Sequence, residues 1–361
     1  MQDNEVMLLK GNEALAMAAI RYGADAYFGY PITPQSEIME TLVAQKPWLS
    51  IGMVVIQAES EVAAINMVYG AASTGRCAFT SSSGPGISLM QNGISYLAGA
   101  NLPCVVVNVM RGGPGLGTIS PSQADYFQAT RGGGHGDYRT LVIAPSSVQD
   151  MADFVAIAFD WALRYRNPAM ILVDGTIGQM MEKVVLPPFR HRLSAEEVKE
   201  QRPWASTGKT TNRSRNLISS LQLDPLKMEQ RCLEREQRYL QAQQTDVRYE
   251  TLSTDDAEYL LIAFGSAARI CSKTVSLARA QGIKLGLIRP ITLWPFPSEA
   301  IKSIARHAKG ILVVELNSGQ MIDDVRLATA DSIEIKHYGR LGGVVFTPDE
   351  ILTAFTNSFL H

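Results

Sequence analysis

The stretch FGYPITPQSE, residues 28–37, places two prolines, a threonine and a serine directly behind a short apolar run. Residues 25–30 read as a buried strand, and residues 12–22 before them have the apolar spacing of a helix. In open α/β sheets, ligands bind beyond the carboxyl ends of the strands. We therefore expect this segment to border a ligand site.

The same alternation of apolar runs and helical segments continues through residue 188, which predicts a doubly wound parallel sheet in a first domain over residues 1–188. Residues 189–255 are polar and mostly aperiodic, and they predict a linker arm that contains an amphipathic helix. A second, smaller α/β domain is predicted over residues 256–361. The chain is thus expected to have two domains joined by an arm.

Bulk composition excludes several classes of protein. The 361 residues are 46% hydrophobic and carry a net charge of −2, so no overall charge favours nucleic acid or an anionic membrane. No apolar run approaches the roughly 18 residues of a membrane span, and the N-terminus lacks a signal-peptide pattern, which predicts a cytoplasmic protein. The four cysteines form no C-x-x-C pair and are typical of reduced structural thiols.

Two glutamates begin a helix that is otherwise nearly all apolar. Glu61 shares a helical face with Ile65 and Val68, so its carboxylate is expected to point into a packed interface. A buried carboxylate is costly unless it finds a partner. Glu59 is the alternative candidate, although helix capping is the favoured interpretation for it.

Hydroxyl-rich and glycine-rich stretches follow two further predicted strands. FTSSSGPG, residues 79–86, gathers hydroxyl groups, and RGGPGLG, residues 111–117, starts with an arginine that could clamp an anion. A third stretch, GGGHGDY at 132–138, holds His135, for which a surface loop is an equally good interpretation. These stretches match neither a dinucleotide fingerprint nor a P-loop, so turns remain the alternative for each.

Together these motifs resemble the α subunit of 2-oxoacid:ferredoxin oxidoreductases, nearest to the branched-chain (2-oxoisovalerate) type, with the 2-oxoglutarate type close behind. The resemblance covers nearly the whole chain. It is carried by residues 11–37, 57–72, 80–115 and 121–138 in the first domain and by residues 285–297 and 311–321 in the second. It implies a pyrimidine-binding domain of the thiamine diphosphate fold, followed by a domain like the transketolase C-terminal domain.

The resemblance also implies an activity and roles for individual residues. Such enzymes oxidatively decarboxylate a 2-oxoacid on thiamine diphosphate, with coenzyme A as co-substrate and ferredoxin as electron acceptor. Glu61 matches the glutamate that hydrogen-bonds N1′ of the aminopyrimidine, with Glu59 as the alternative. Thr33 matches a hydroxyl contact to the substrate, and Arg111 matches the arginine that pairs with the substrate carboxylate. Further cofactor contacts are expected from Tyr30, Pro31, Ser82 and Ser83.

One half of a thiamine site is missing from the sequence. Asp174-Gly175 lacks the preceding glycine of the G-D-G motif that announces a diphosphate–Mg²⁺ site, and no asparagine follows at the expected distance. No cysteine cluster is present for an iron–sulfur centre. The resemblance therefore implies a β subunit that supplies Mg²⁺, the diphosphate site and a 4Fe–4S cluster, together with γ and ferredoxin-like δ subunits.

Two other functions compete with this interpretation. A self-sufficient thiamine transketolase or decarboxylase would need the missing G-D-G motif. A non-catalytic assembly subunit would not need the carboxylates at 59 and 61, and both are present. Between substrates, a basic residue aimed at a second carboxylate would favour 2-oxoglutarate, and the sequence shows no such candidate.

Overall fold

Two mixed sheets and a small two-stranded antiparallel sheet, formed by the first and eighth strands, organise the chain in the computed structural model, which describes residues 5–209, 214–330 and 333–360. The strands are β1 (Val6–Lys10), β2 (Ala26–Gly29), β3 (Val54–Gln57), β4 (Ala78–Ser82), β5 (Cys104–Met110), β6 (Leu141–Ile143), β7 (Pro168–Asp174), β8 (Met181–Val185), β9 (Tyr249–Leu252), β10 (Tyr259–Ile262), β11 (Leu285–Pro290), β12 (Thr292–Trp294), β13 (Gly310–Glu315) and β14 (Glu334–Gly339).

Helices connect nearly all of these strands. They are α1 (Gly11–Tyr22), α2 (Ser36–Gln45), α3 (Pro47–Ser50), α4 (Glu61–Ser73), α5 (Pro85–Gly99), α6 (Tyr126–Arg131), α7 (Val148–Tyr165), α8 (Gly175–Gln179), α9 (Ala195–Gln201), α10 (Pro225–Thr245), α11 (Gly265–Ala280), α12 (Ser298–Ala305), α13 (Met321–Thr329) and α14 (Pro348–Phe359). In the described part of the chain, none of them is long and apolar enough to cross a membrane.

The first sheet has seven strands in the order β12-β6-β7-β5-β4-β2-β3, and all but β12 run parallel. The central strands β5 and β7 are buried at every residue, as expected for a parallel sheet covered on both faces. The chain leaves β2 towards β3 and returns on the other side of β2 to form β4. The strand order therefore reverses between β2 and β4, which opens a crevice at their carboxyl ends.

The second sheet has the order β14-β13-β10-β11-β9, with β9 antiparallel to β11. Two strands depart from the predicted domain limits. Strand β9 lies ahead of residue 256, and all four of its residues are exposed, so its sequence carries no burial pattern. Strand β12 lies within the predicted second domain but pairs with β6 of the first sheet. Strand β9 has no burial pattern, and β12 is a buried strand of three residues whose pairing partner lies about 150 residues earlier, so periodicity alone reveals neither pairing.

The edge strand β3 is largely exposed, although its sequence, VVIQ, is mostly apolar. Val54 is 45% exposed and Ile56 is 39% exposed, because β3 pairs only with β2 and nothing in the described chain covers its outer side. An exposed apolar edge strand is a surface that proteins usually cover.

The predicted arm wraps closely around the first domain. Its Arg190 N–H donates to the Arg21 carbonyl, the Arg192 guanidinium pairs with Asp25 at 2.8 Å, and the Ser206 N–H donates to the Ser73 carbonyl. The arm ends in the long helix α10, as the amphipathic pattern indicates.

A buried amide, Gln123, joins the two sheets. Its Nε2 donates to the Phe264 carbonyl at 2.8 Å, and its Oε1 accepts from the Leu316 N–H at 3.0 Å. Its own backbone N–H donates to the Leu316 carbonyl, and its carbonyl accepts from the Asn317 side chain. Because Gln123 is fully buried, it satisfies backbone groups that no water could reach.

Replacing Gln123 by methionine removes these side-chain bonds at nearly constant volume. The Leu316 N–H then stays buried without a partner, while the Phe264 carbonyl keeps only the Ala268 N–H, so we expect a loss of about 1–3 kcal/mol in the free energy of unfolding. Thermal unfolding of the purified chain measures this loss. The control is Gln237→Met on an exposed position of α10. Equal unfolding midpoints for both variants would show that the amide bridge does not stabilise the fold.

Candidate active site

The loop that follows β2 is held in place by two side-chain amides. The Pro34 carbonyl accepts hydrogen bonds from Asn12 Nδ2 at 2.7 Å and from Gln179 Nε2 at 2.8 Å. Both amides also donate to Glu37 Oε2, at 2.9 and 2.8 Å, and these bonds help to lower the pKa of Glu37 against the opposing effect of burial. The loop is therefore anchored to α1, α2 and α8.

A second set of bonds ties this loop to β4. Gln35 is fully buried; its Nε2 donates to the Tyr30 carbonyl, and its Oε1 accepts from Ser81 Oγ at 2.5 Å. Ser81 Oγ in turn lies 2.8 Å from the Tyr27 hydroxyl. These contacts cross the crevice between β2 and β4 and hold its two walls at a fixed separation.

Arg111 follows β5 and reaches the same loop. Its Nη1 donates to the Thr33 carbonyl and its Nη2 to the Leu116 carbonyl, each at 2.9 Å. The residue is only 8% exposed, and its Nε has no partner among the described residues. Since a guanidinium has five N–H donors, three of them are left for a ligand.

Arg111 lines a cavity of about 420 Å³ together with Gly84, Pro85, Ser88, residues 112–115 and Asp125. Asp125 accepts a hydrogen bond from Asn108 Nδ2 at 2.9 Å. Burial raises the pKa of Asp125, and this hydrogen bond partly offsets the rise. Asp125 lies within the motif at 121–138, but no sequence pattern distinguishes it as a site residue. A single aspartate in a loop belongs to no periodic pattern, so the sequence alone does not indicate that its carboxylate lies in a cavity.

Glu61 lies in the first turn of α4, where Ser60 caps the helix by accepting from the Ala63 N–H. Glu61 is 6% exposed, and its predicted face neighbours Ile65 and Val68 are buried. Its carboxylate has no hydrogen-bond partner within the described chain. Glu59 differs, because it is exposed and accepts a hydrogen bond from Ser60 Oγ.

Gly86, at the start of α5, brings Glu61 and Ser82 together. A Cβ at this position would lie 2.1 Å from Ser82 Oγ and 2.5 Å from Glu61 Oε1, so only glycine fits. Ser82 and Ser83 are fully buried, and neither hydroxyl has a partner among the residues described. Buried hydroxyls without partners are rare, and they suit a polar ligand in contact with them.

The predicted site residues thus fall into two groups around the turn at 84–86. Arg111 and the Thr33 carbonyl lie on one side, while Glu61 and Ser82 lie on the other. Tyr30, Pro31 and Thr33 are exposed on the rim of the crevice. His135 is exposed in a separate loop, where its carbonyl accepts from Ser95 Oγ, and it does not line the cavity.

Asp174 has a structural environment. It is fully buried, and its two oxygens accept from the backbone N–H groups of Thr176, Ile177 and Ser266. Burial raises its pKa against the effect of these hydrogen bonds. In the described residues, no group of three or more histidine, cysteine, aspartate or glutamate side chains is arranged to hold a metal ion.

Comparisons with known proteins agree with the predicted family. Residues 17–250 match the thiamine-diphosphate-binding family model of pyruvate flavodoxin/ferredoxin oxidoreductases, and residues 257–351 match core domain II of pyruvate:ferredoxin oxidoreductases. The first match alone spans more than half of the chain. The predicted α/β fold class is confirmed.

Individual relatives cover the whole chain. The ketoisovalerate oxidoreductase subunit VorB of Methanothermobacter marburgensis is 46% identical over 345 residues, 96% of each chain. The 2-oxoglutarate synthase subunit KorA of Archaeoglobus fulgidus is 35% identical and covers 93% of this chain and 96% of its own.

Two solved structures have the same fold. A 2-oxoglutarate:ferredoxin oxidoreductase from Magnetococcus marinus, with 2-oxoglutarate, coenzyme A and succinyl-CoA bound, aligns with a TM-score of 0.86 at 26% identity. The alignment covers 98% of this chain and 65% of that one, so this chain spans about two thirds of its length. A split-gene transketolase, 12% identical with a TM-score of 0.61, shares the fold. The chain therefore belongs to the pyruvate flavodoxin/ferredoxin oxidoreductase family and is a 2-oxoacid:ferredoxin oxidoreductase subunit of the VorB type.

Proposed function

We propose that this chain is the α subunit of a complex that oxidatively decarboxylates 2-oxoisovalerate and related branched-chain 2-oxoacids. The products are acyl-CoA, CO₂ and reduced ferredoxin. The observation that carries the proposal is the Glu61 carboxylate, which is buried at a helix start, lacks a protein partner and lies beside a strand-end crevice.

The residues around Gly86 fit thiamine diphosphate. Glu61, Ser82 and Ser83 offer one carboxylate and two buried hydroxyls without partners, and Gly86 keeps the space between them free of a side chain. Thiamine diphosphate, when bound, supplies the nucleophilic carbon and the electron sink for decarboxylation of a 2-oxoacid. Glu61 would accept a hydrogen bond from a protonated ring nitrogen and so select one tautomer of the ring. Tyr30 and Pro31 would contact the cofactor from the rim.

Arg111 and Thr33 are proposed to bind the substrate. The three N–H donors that Arg111 retains suit a carboxylate, for which the planar guanidinium is the best protein partner. Its bond to the Thr33 carbonyl fixes the position of the YPITP loop relative to Arg111. The Thr33 hydroxyl would then contact the oxo or carboxylate group of the substrate, in a geometry set before binding.

The charge of the cavity favours a monocarboxylate. Arg111 is the one basic residue among those that line the cavity in the described chain, and Asp125 is the one acidic residue. The second carboxylate of 2-oxoglutarate would therefore find no cation on this chain's side of the cavity, where it would meet Asp125. The higher identity to VorB than to KorA also supports the branched-chain substrate.

A partner subunit is proposed to complete the site. Helices α4 and α5 both start at the site and pack on each other, and their outer faces expose Val62, Met67, Leu89 and Tyr96. The edge strand β3 also exposes apolar residues, Val54 and Ile56. Large exposed apolar surfaces mark protein interfaces. The partner would be the β subunit with the diphosphate–Mg²⁺ site and a 4Fe–4S cluster, accompanied by γ and δ subunits, with coenzyme A as co-substrate.

Co-expression with the neighbouring subunit genes tests the activity. We expect the assembled complex to reduce a viologen dye with coenzyme A, faster with 2-oxoisovalerate than with 2-oxoglutarate, because the cavity holds one cation. The isolated chain should show no turnover. Turnover by the chain alone would contradict a shared site, and a preference for 2-oxoglutarate would assign the chain to the KorA type.

Glu61→Gln tests the cofactor contact. The amide keeps the size of the side chain but loses the charge that stabilises a protonated ring nitrogen, so we expect kcat to fall by about 10²–10⁴-fold while the complex still assembles. The matched control is Glu59→Gln, an exposed glutamate two residues away, which should keep full activity. A loss of activity in the control instead would transfer the role to Glu59.

Arg111→Lys tests the substrate contact. Lysine keeps the charge but cannot reach two carbonyls and a carboxylate together, so we expect kcat/KM for 2-oxoisovalerate to fall by about 10–100-fold, mainly through KM. Thiamine diphosphate binding, measured by calorimetry on the same complex, should be unchanged. Weaker cofactor binding with an unchanged KM would place Arg111 on the cofactor rather than on the substrate.

A further inference from the structure

Helix α10 presents three arginines on one face. Arg231, Arg235 and Arg238 are spaced four and three residues apart, so they lie on the same side of the helix. Arg235 is only 4% exposed, and its Nε has no partner among the described residues. Burying a guanidinium without a negatively charged partner costs free energy, so we expect an anion to bind at this face.

Arg166, at the end of α7, joins this face. Its Nε donates to the Asn101 carbonyl at 3.1 Å, and Arg238 Nη2 donates to the side-chain oxygen of the same asparagine. The Arg166 guanidinium carbon also lies 4.3 Å from the centre of the Trp204 ring. Asn101 and Trp204 therefore hold two cations close together. Burial, and after it the charge of Arg238, lowers the pKa of Arg166 to about 10.

These four arginines form no close ion pairs with described residues, although Glu234 of the same helix acts electrostatically on Arg238. In the part of the chain that the structure describes, none of them forms an ion pair within 4.0 Å. The adjoining arm adds Lys209 and Arg215, and its sequence has no aspartate or glutamate in residues 201–223. The positive charge is local, because the whole chain has a net charge of −2.

A concave pocket of about 230 Å³ opens at this cluster. Its lining includes Arg166, Arg231, Asn101, Asn216, Trp204 and Ser219, which are cationic, amide, indole and hydroxyl groups. The Asn216 side chain is itself held by the Pro203 and Ala205 carbonyls, so the arm forms a fixed wall. This pocket is separate from the candidate active site, because it shares no lining residue with the cavity at Arg111.

We propose that this pocket is a binding site for a phosphate group, carried by inorganic phosphate or by a small phosphorylated metabolite such as a nucleotide. Guanidinium groups match the geometry of phosphate oxygens, and two of them from different elements surround one anion. The amide and hydroxyl groups supply further donors to the remaining oxygens. A bound phosphate would pair with Arg166 and Arg231, the two of the four arginines that line the pocket, and would link α7, the arm and α10.

Titration calorimetry on the full chain tests this site, with inorganic phosphate and ADP as separate probes at constant ionic strength. We expect saturable binding with one site per chain. Tighter binding of ADP than of phosphate would identify a nucleotide as the ligand, and equal binding would identify the phosphate group alone. Arg231→Gln and Arg166→Gln should each weaken binding at least about tenfold, since each removes a charge-assisted hydrogen bond.

Arg231→Gln is the decisive variant. The Arg231 side chain forms no hydrogen bond among the described residues, so we expect its replacement to leave the fold intact. The matched control is Arg306→Gln, an exposed arginine of the second domain, which should bind both probes like the unchanged chain. Two results would overturn the proposal: no saturable binding of either probe, or binding that the Arg231 and Arg166 variants leave unchanged. If the chain binds no phosphate and the Arg231→Gln complex also loses a partner subunit, the arginines bind an acidic protein partner instead of a phosphate group.

Discussion

The reversal of strand order between β2 and β4 is the constraint on which the site depends. Connections on the two sides of this point leave the sheet in opposite directions, so the loops after β2 and β4 separate and a crevice forms between them. Helix α5 starts in this crevice because Gly86 lets its first turn approach Ser82 and Glu61 without a side chain in between. One topological feature thus gathers residues from four separate segments of the chain.

The crevice is kept rigid mainly by neutral amides. Asn12, Gln35 and Gln179 fix the YPITP loop, and Gln123 fixes the second sheet against the first. An amide can donate and accept at once, so it satisfies buried backbone groups without the desolvation cost of a charge. The charged side chains Arg111 and Glu61 are thereby left free of structural ion pairs and available for ligands. Because amides hold the structure together, the site can be buried and still keep charged groups available for ligands.

The sequence predicted those features that depend on local pattern. The buried position of Glu61 followed from its helical spacing to Ile65 and Val68, and the crevice followed from the alternation of strands and helices. Features that depend on distant neighbours could not be predicted. The exposure of β3 follows from its place at a sheet edge, and the pairing of β12 with β6 joins segments about 150 residues apart. Asp125 acquires its surroundings only when its loop folds over Asn108.

A thiamine site that is complete in one chain would need a residue that binds the diphosphate through a metal ion. The aspartate at the position of the G-D-G motif, Asp174, has a structural role instead. Asp174 spends both oxygens on the start of α8 and on the Ser266 N–H of α11, so it stabilises the contact between the two sheets. Freeing it for a metal ion would leave three buried N–H groups unpaired. The same helices that carry Glu61 and Gly86 expose apolar residues on their outer faces. In the proposed complex, the stability of this fold and the sharing of the site have a common origin: Asp174 holds the two sheets together instead of binding a metal ion, and the exposed apolar surface suits a second subunit.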